Sequence, residues 1–171
     1  MSKTSKNIEF TIRQANENDV PGILELVREL ARYERLEKEV SATIDLFKKH
    51  GYSDNPYYET ILAEYSTSGE TKLVGFAIYF YTFSTFLGKP TLYLEDLFVK
   101  PEYRGRGIGK SLLIRLSQIA AQKDCGRMEW SVLNWNAPSI EFYKQIGAVA
   151  MSDWTIFRLN KQSLAALAKS K

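Results

Sequence analysis

The chain has one cysteine, one histidine and no long apolar run, and each shortage removes a class of function. Cys125 alone cannot form an intrachain disulfide, and without a CxxC pair the sequence points to a reducing compartment. A lone histidine, His50, beside a lone cysteine is too little for a Cys/His metal site, so no metal is expected. Neither residue sits in a motif, and neither is read as a nucleophile. No apolar stretch approaches the ~20 residues that cross a bilayer, so no membrane partner is expected. The stretch MSKTSKNIEF lacks the apolar core of a secretory signal, which makes a soluble cytoplasmic protein the expectation. Charge of one sign is scarce too: the net charge is +3 over 171 residues. No Lys/Arg block forms a phosphate-tracking stripe, so nucleic acid is not an expected partner.

With 44% hydrophobic and 25% charged residues, the composition is that of a globular protein. Residues 1–7 read as a flexible tail and 8–171 as a single domain. IEFTIRQA (8–15) alternates like a strand. In NDVPGILELVRELARYE, Val20, Ile23, Leu24, Val27, Leu30 and Ala31 recur at helical spacing, with Asn18 as a cap and Pro21 in the first turn. A short helix is expected from Ser41 to His50, stopping at Gly51. YETILAEYS and KLVGFAIYFYTF flank TSGET and predict an antiparallel hairpin. TLYLEDLFV (91–99) is a strand. A helix with Ile108, Leu112, Leu116 and Ile119 on one face follows. RMEWSVL is a strand, APSIEFYKQIG a helix, DWTIFRL a last strand and KQSLAALAKS a terminal helix. The order β-α-α-β-β-β-α-β-α-β-α implies an α/β or α+β fold with a mixed sheet flanked by helices.

YRGRGIGKSLL (103–113) is the most chemical stretch. A P-loop needs glycine where Arg104 stands, and only about 60 residues follow Ser111, too few for the sheet of a P-loop domain. A dinucleotide fingerprint needs glycine where Lys110 stands. Arg-x-x-Gly-x-Gly fits without a gap: Arg104, Gly105, Arg106, Gly107, Ile108, Gly109. Glycines there let the backbone approach an anion, and the start of the following helix adds partial positive charge. Such a loop suits a pyrophosphate without magnesium.

With that loop, YLEDLFVKPEYRGRGIGK, WNAPSIEFYKQIGA and ELARYE resemble, in order, the spermidine/spermine (diamine) branch of the GNAT N-acetyltransferase superfamily, including its thialysine-acetylating relatives. The resemblance covers most of residues 8–159. It implies the GNAT fold, with a mostly antiparallel central sheet, acetyl-CoA as cofactor, a homodimer, and acetyl transfer to a primary amine by direct attack in a ternary complex. Such chemistry needs a grip on the cofactor, a neutral amine, stabilisation of an oxyanion and a proton for the departing thiolate. An amine with a pKa of ~10.4 is overwhelmingly charged at pH 7, so a base is useful.

By the same resemblance, residues Arg104 to Lys110 hold the pyrophosphate, with the backbone N–H groups of Gly105 to Lys110 giving the grip. The edge Leu97-Phe98-Val99 pairs with the pantetheine arm, and Asn136 and Ser139 contact the cofactor; Asn136 also suits a helix cap before Pro138. Glu95 is the expected base. Glu95 and Asp96 are neighbours on a strand, so their side chains are expected on opposite faces, and two acids in a core strand are costly unless solvated or paired. Tyr143 is the expected acid. Tyr33, Glu34, Asp96, Glu129, Trp130 and Ser131 are the expected acceptor residues, alongside Glu95. Polyamine-acetylating relatives carry an acid and Pro-Trp where this chain has Ser84-Thr85-Phe86, so the pattern leans to short diamines or lysine analogues. Two alternatives stay open: another amine acceptor, such as an aminoglycoside or a protein amine, and a catalytically silent coenzyme A-binding module.

Overall fold

The computed structural model describes residues 10–67 and 70–170. The expected tail, residues 1–7, lies outside them. The chain divides into two compact units, one ending at Ser131 and the other beginning at Val132.

The first unit is built on a five-stranded sheet ordered β1-β2-β3-β4-β5. The strands are β1 (Phe10–Gln14), β2 (Glu59–Thr67), β3 (Glu70–Ser84), β4 (Lys89–Val99) and β5 (Arg127–Trp130). The first three pairings are antiparallel and the last is parallel. A parallel pair needs a crossover, and α3 (Ile108–Gln122) supplies it. The mixed, mostly antiparallel sheet matches the strand pattern of the sequence. β5 is shorter than RMEWSVL suggested and stops at Trp130.

Helix α1 (Val20–Glu34) has Pro21 in its first turn, where a missing N–H costs nothing. The cap lies earlier than Asn18. Asn16 Oδ1 accepts from Asn18 N at 3.0 Å, and Asp19 accepts from Asn16 N at 2.7 Å, because a 3-10 turn precedes the helix. Asp19 also takes Arg13 Nη2 at 2.7 Å, while Arg13 Nε reaches Glu64 at 2.8 Å. Arg13 thereby ties β1 and β2 to the start of α1 and holds the Asp19 carboxyl below its ordinary range. Helix α2 (Ile44–Gly51) ends at the expected glycine, but it starts later than Ser41, where Thr43 Oγ1 accepts from Leu46 N at 3.2 Å.

Leu62, Phe76, Ile78 and Phe98 pack with Ile23, Leu26 and Leu30 of α1 in one buried cluster. The alternate residues Ile61, Ala63 and Ala77 are equally buried. Both faces of the sheet are therefore covered. α1 takes the first, and α3, which touches all five strands, takes the second. The apolar stripe of α3 is buried as its periodicity implied, with Ile108, Leu112, Leu116 and Ile119 all in the core.

The second unit contains α4 (Ala137–Gln145) and α5 (Lys161–Leu167). The expected strand DWTIFRL does not form: residues 153–159 have no strand assignment and are exposed. β-propensity measures how well a side chain fits a pleated surface beside a partner. Among the described strands none pairs with this segment, so composition alone does not make it a strand.

Candidate active site

β4 brings two carboxylates to one place by breaking its own regularity. Ile78 pairs with Asp96, but the next residue of β3, Tyr79, pairs with Leu94. Glu95 is thus the extra residue of a β-bulge, a device that re-aims side chains. A regular strand would send Glu95 and Asp96 to opposite faces, as the sequence pattern implied. Here both line one cavity. Glu95 is exposed and Asp96 half-buried. Burial first, then the charge of Glu95, then that of Glu34, push the Asp96 carboxyl up to about 7. Burial likewise raises Glu34.

The cavity holds about 490 Å³, a volume suited to a small molecule. Ile78 and Phe80 of β3 join the two acids. Leu46, Phe47 and His50 of α2 line it as well, with Ser41 and Ala42 before that helix and Tyr57 and Tyr58 after it. Tyr58 is fixed by donating to Phe47 O at 2.8 Å. Tyr57 is 75% exposed. Nothing in the sequence pattern pointed to this wall. His50 had only its rarity to mark it, and the aromatic residues read as packing.

Beyond the acids β4 loses a neighbour. Its pairing with β5 ends at Leu94 and Trp130. Leu97, Phe98 and Val99 pair with β3 through Ala77, Phe76 and Gly75, so their other edge has no strand among the described residues. The glycine loop follows. Gly105 and Gly107 have φ of 72° and 83°, where an L side chain is strained. A Cβ at either would meet nothing within 4 Å. Glycine is needed here for its backbone angles, and the space above the loop is open. Gly107 opens α3 without a side-chain cap, so the first-turn N–H groups from Ile108 to Lys110 have no acceptor within the helix. The arginines fold back. Arg104 donates to Val99 O at 2.9 Å and lies 4.5 Å over the Tyr33 ring. Arg106 donates to Glu102 O at 3.2 Å.

The remaining expected residues of the first unit lie outside the cavity wall. Tyr33 stacks under Arg104 and packs on the core rather than lining the cavity. Glu129 is bound by Arg127 at 2.9 Å, and Ser131 Oγ shares a hydrogen bond with Tyr93 at 3.1 Å. Neither these two nor the half-buried Trp130 lines the cavity. Ser84-Thr85-Phe86, at the β3–β4 turn, does not line it either. In the second unit Asn136 is buried and its Oδ1 accepts from Ser139 N at 3.4 Å, capping α4. Tyr143 is half-buried on α4, its ring 5.5 Å from that of Phe142.

The chain matches the model of the Acetyltransferase (GNAT) family over residues 21–148. It is 37% identical over 164 residues to thialysine N-epsilon-acetyltransferase of Bos taurus, covering 92% of this chain and 96% of that protein. It is 38% identical over 174 residues to spermidine/spermine N(1)-acetyltransferase-like protein 1 of Homo sapiens, covering 98% of this chain and 25% of that protein. An integron cassette protein from the mobile metagenome of V. cholerae superposes with a TM-score of 0.77 at 28% identity, covering 96% of this chain and 100% of the other.

Proposed function

The chain belongs to the GNAT acetyltransferase family and is an N-acetyltransferase acting on amines; from that premise we propose that its acceptor is a small cationic primary amine, either a short diamine or a thialysine-like amino acid, acetylated from acetyl-CoA by direct attack in a ternary complex. One observation carries this reading: two carboxylates, Glu95 and Asp96, share an aromatic-lined cavity of about 490 Å³. An ammonium is drawn there, and it must lose a proton before its nitrogen can attack. A carboxylate near neutrality accepts that proton far better than an ordinary one, and Asp96 sits at about 7. The pair, with Glu95 at the exposed side, takes the proton.

The acetyl-CoA that the family uses would fit the loop, because the space over Gly105 and Gly107 is open and no side chain caps α3. Acetyl-CoA supplies the acetyl group as a thioester. In the proposal, Arg104 to Lys110 hold its pyrophosphate, chiefly through backbone N–H groups, and the Leu97-Phe98-Val99 edge takes the pantetheine arm. Asn136 and Ser139 contact it too, and Tyr143 gives its hydroxyl proton to the departing thiolate. Glu34 raises the negative potential at the acid pair. Glu129, Trp130, Ser131 and Tyr33 keep a proposed place around the acceptor, outside the cavity wall. The protein is proposed to work as a cytoplasmic homodimer. Exposed apolar residues of the second unit, among them Trp154, Ile156 and Phe157, support the dimer.

The test is thiol release from acetyl-CoA over a panel of amines: putrescine, cadaverine, thialysine, lysine, spermidine, spermine and an aminoglycoside. A short diamine or thialysine should turn over well and spermine poorly. Tyr143→Phe and Glu95→Gln should each lower kcat by about 100-fold or more. Binding of acetyl-CoA without turnover of any amine refutes the acceptor assignment.

A further inference from the structure

We infer that His50, on the α2 wall of the cavity, reads the acceptor's second polar group and favours a carboxylate there, so that the cavity selects a lysine-like amino acid over an α,ω-diamine. This specificity rests on the acceptor reading above and narrows it.

The cavity is electrostatically one-sided. Its carboxylates are Glu95 and Asp96, neighbours on β4. Glu34 acts at the same end, since its charge reaches Asp96. The reacting amine goes there. The lining contributed by α2 and its flanks has no carboxylate: Ser41, Phe47, His50, Tyr57 and Tyr58 are its polar and aromatic members. Among these His50 carries the nitrogen donor. Its ring stands edge-on to Tyr57, centroids 5.6 Å apart, and no ion pair or side-chain hydrogen bond among the described residues engages the imidazole. Tyr58, by contrast, commits its proton to Phe47 O.

The surrounding charge agrees. The last turn of α2 carries Lys48, Lys49 and His50; Lys48 is held by Glu17 at 3.2 Å. Two backbone carbonyls at the end of α2 each already accept one hydrogen bond, Lys48 O from Tyr52 N at 3.0 Å and His50 O from Tyr57 N at 2.8 Å, which weakens their pull on a second ammonium. A second ammonium here would fall back on the exposed tyrosine face, an interaction worth about twofold to fivefold in affinity. A carboxylate accepting from the imidazole N–H makes a hydrogen bond to an ionised group, worth about tenfold or more. The comparison favours the carboxylate.

Three acceptors separate these contributions. Lysine and cadaverine differ only by the α-carboxylate, and lysinamide keeps the α-ammonium while removing the carboxylate charge. The wild-type protein should show kcat/KM for lysine above that for both others. His50→Leu should lower the lysine-to-cadaverine ratio about tenfold, mainly through the KM for lysine. His50→Glu should invert the ratio by giving a second ammonium its partner. His50→Gln, with a nitrogen donor of similar reach, should keep a preference for lysine and guards against a variant that fails to fold; acetyl-CoA affinity reports folding in each. A ratio unmoved by all three substitutions, or a wild-type preference for cadaverine, overturns the inference while amine acetylation stands. Acetyl-CoA binding without acetylation of any of the three overturns the acceptor reading as well.

Discussion

A carboxyl group taken out of water and set beside two other carboxylates holds its proton tightly, and Asp96 is in that position. The sign of its effect on stability follows. Its folded value of about 7 lies above the ordinary value near 3.8, so the folded chain binds this proton better than the unfolded chain does. Stability from this group is therefore fullest below pH ~4 and falls as pH rises to about 7. Asp96→Asn removes that loss. The variant should melt on the order of 5 °C above wild type at pH 8, with the gap closing toward pH 4, while kcat drops about 100-fold or more. Melting curves at the two pH values, run beside thiol-release assays, check both halves; an equal drop in Tm at both would sink the burial argument. The neighbours give a second handle. Glu34→Gln takes away a negative charge that raises Asp96, so the rise of kcat/KM with pH should move to lower pH. A profile displaced upward, or not at all, contradicts the arrangement.

At the scale of elements, the loop before α3 makes the sharpest demand. Gly107 sits at φ 83°, so Gly107→Ala strains the backbone by about 1–2 kcal/mol without meeting any atom. Because the strain reshapes the anion cradle, the KM for acetyl-CoA should rise about tenfold or more, while the KM for the amine moves less. Steady-state kinetics with each substrate varied in turn decides this; an effect confined to the amine would remove the loop from cofactor binding. This loop was legible in the sequence because Arg-x-x-Gly-x-Gly is a local pattern whose geometry follows from glycine itself. The stripe of α3 and the hairpin of β2 and β3 were legible for the same reason, since periodicity is local. What was not legible was relational. Alternation along TLYLEDLFV assumes a regular strand, and only pairing with β3 reveals that Glu95 is an extra residue. His50 stood at a helix end with no motif, and only the packing of α2 places it in the cavity with the acids. DWTIFRL had the composition of a strand, but a strand is a pairing, and none of the described strands pairs with it.

For the whole molecule the feature that asks for a partner is apolar surface. Phe157 is 92% exposed and Trp154 73%, and Val149, Met151, Ile156 and Leu159 are exposed in the same short segment. Isolated exposed apolar residues are ordinary, but a run of six large ones in eleven positions is the composition of an interface. The mild net charge of +3 does little to keep two copies apart. If this surface is buried in the proposed homodimer, light scattering at micromolar concentration should give twice the chain mass of 19.6 kDa. Replacing Ile156 and Phe157 together by aspartate puts two charges where desolvation would be required, which costs far more than removing the two apolar side chains alone. The double variant should then scatter as a single chain, with thermal unfolding showing that each copy still folds. The catalytic consequence separates two kinds of dimer. If each copy holds a complete acceptor cavity, as the lining by residues 41–96 suggests, the monomeric variant should keep the KM for lysine. If its KM rises while acetyl-CoA affinity holds, residues of the partner complete the site. A wild-type mass of one chain would refute the dimer outright and leave the apolar run to be covered by another partner.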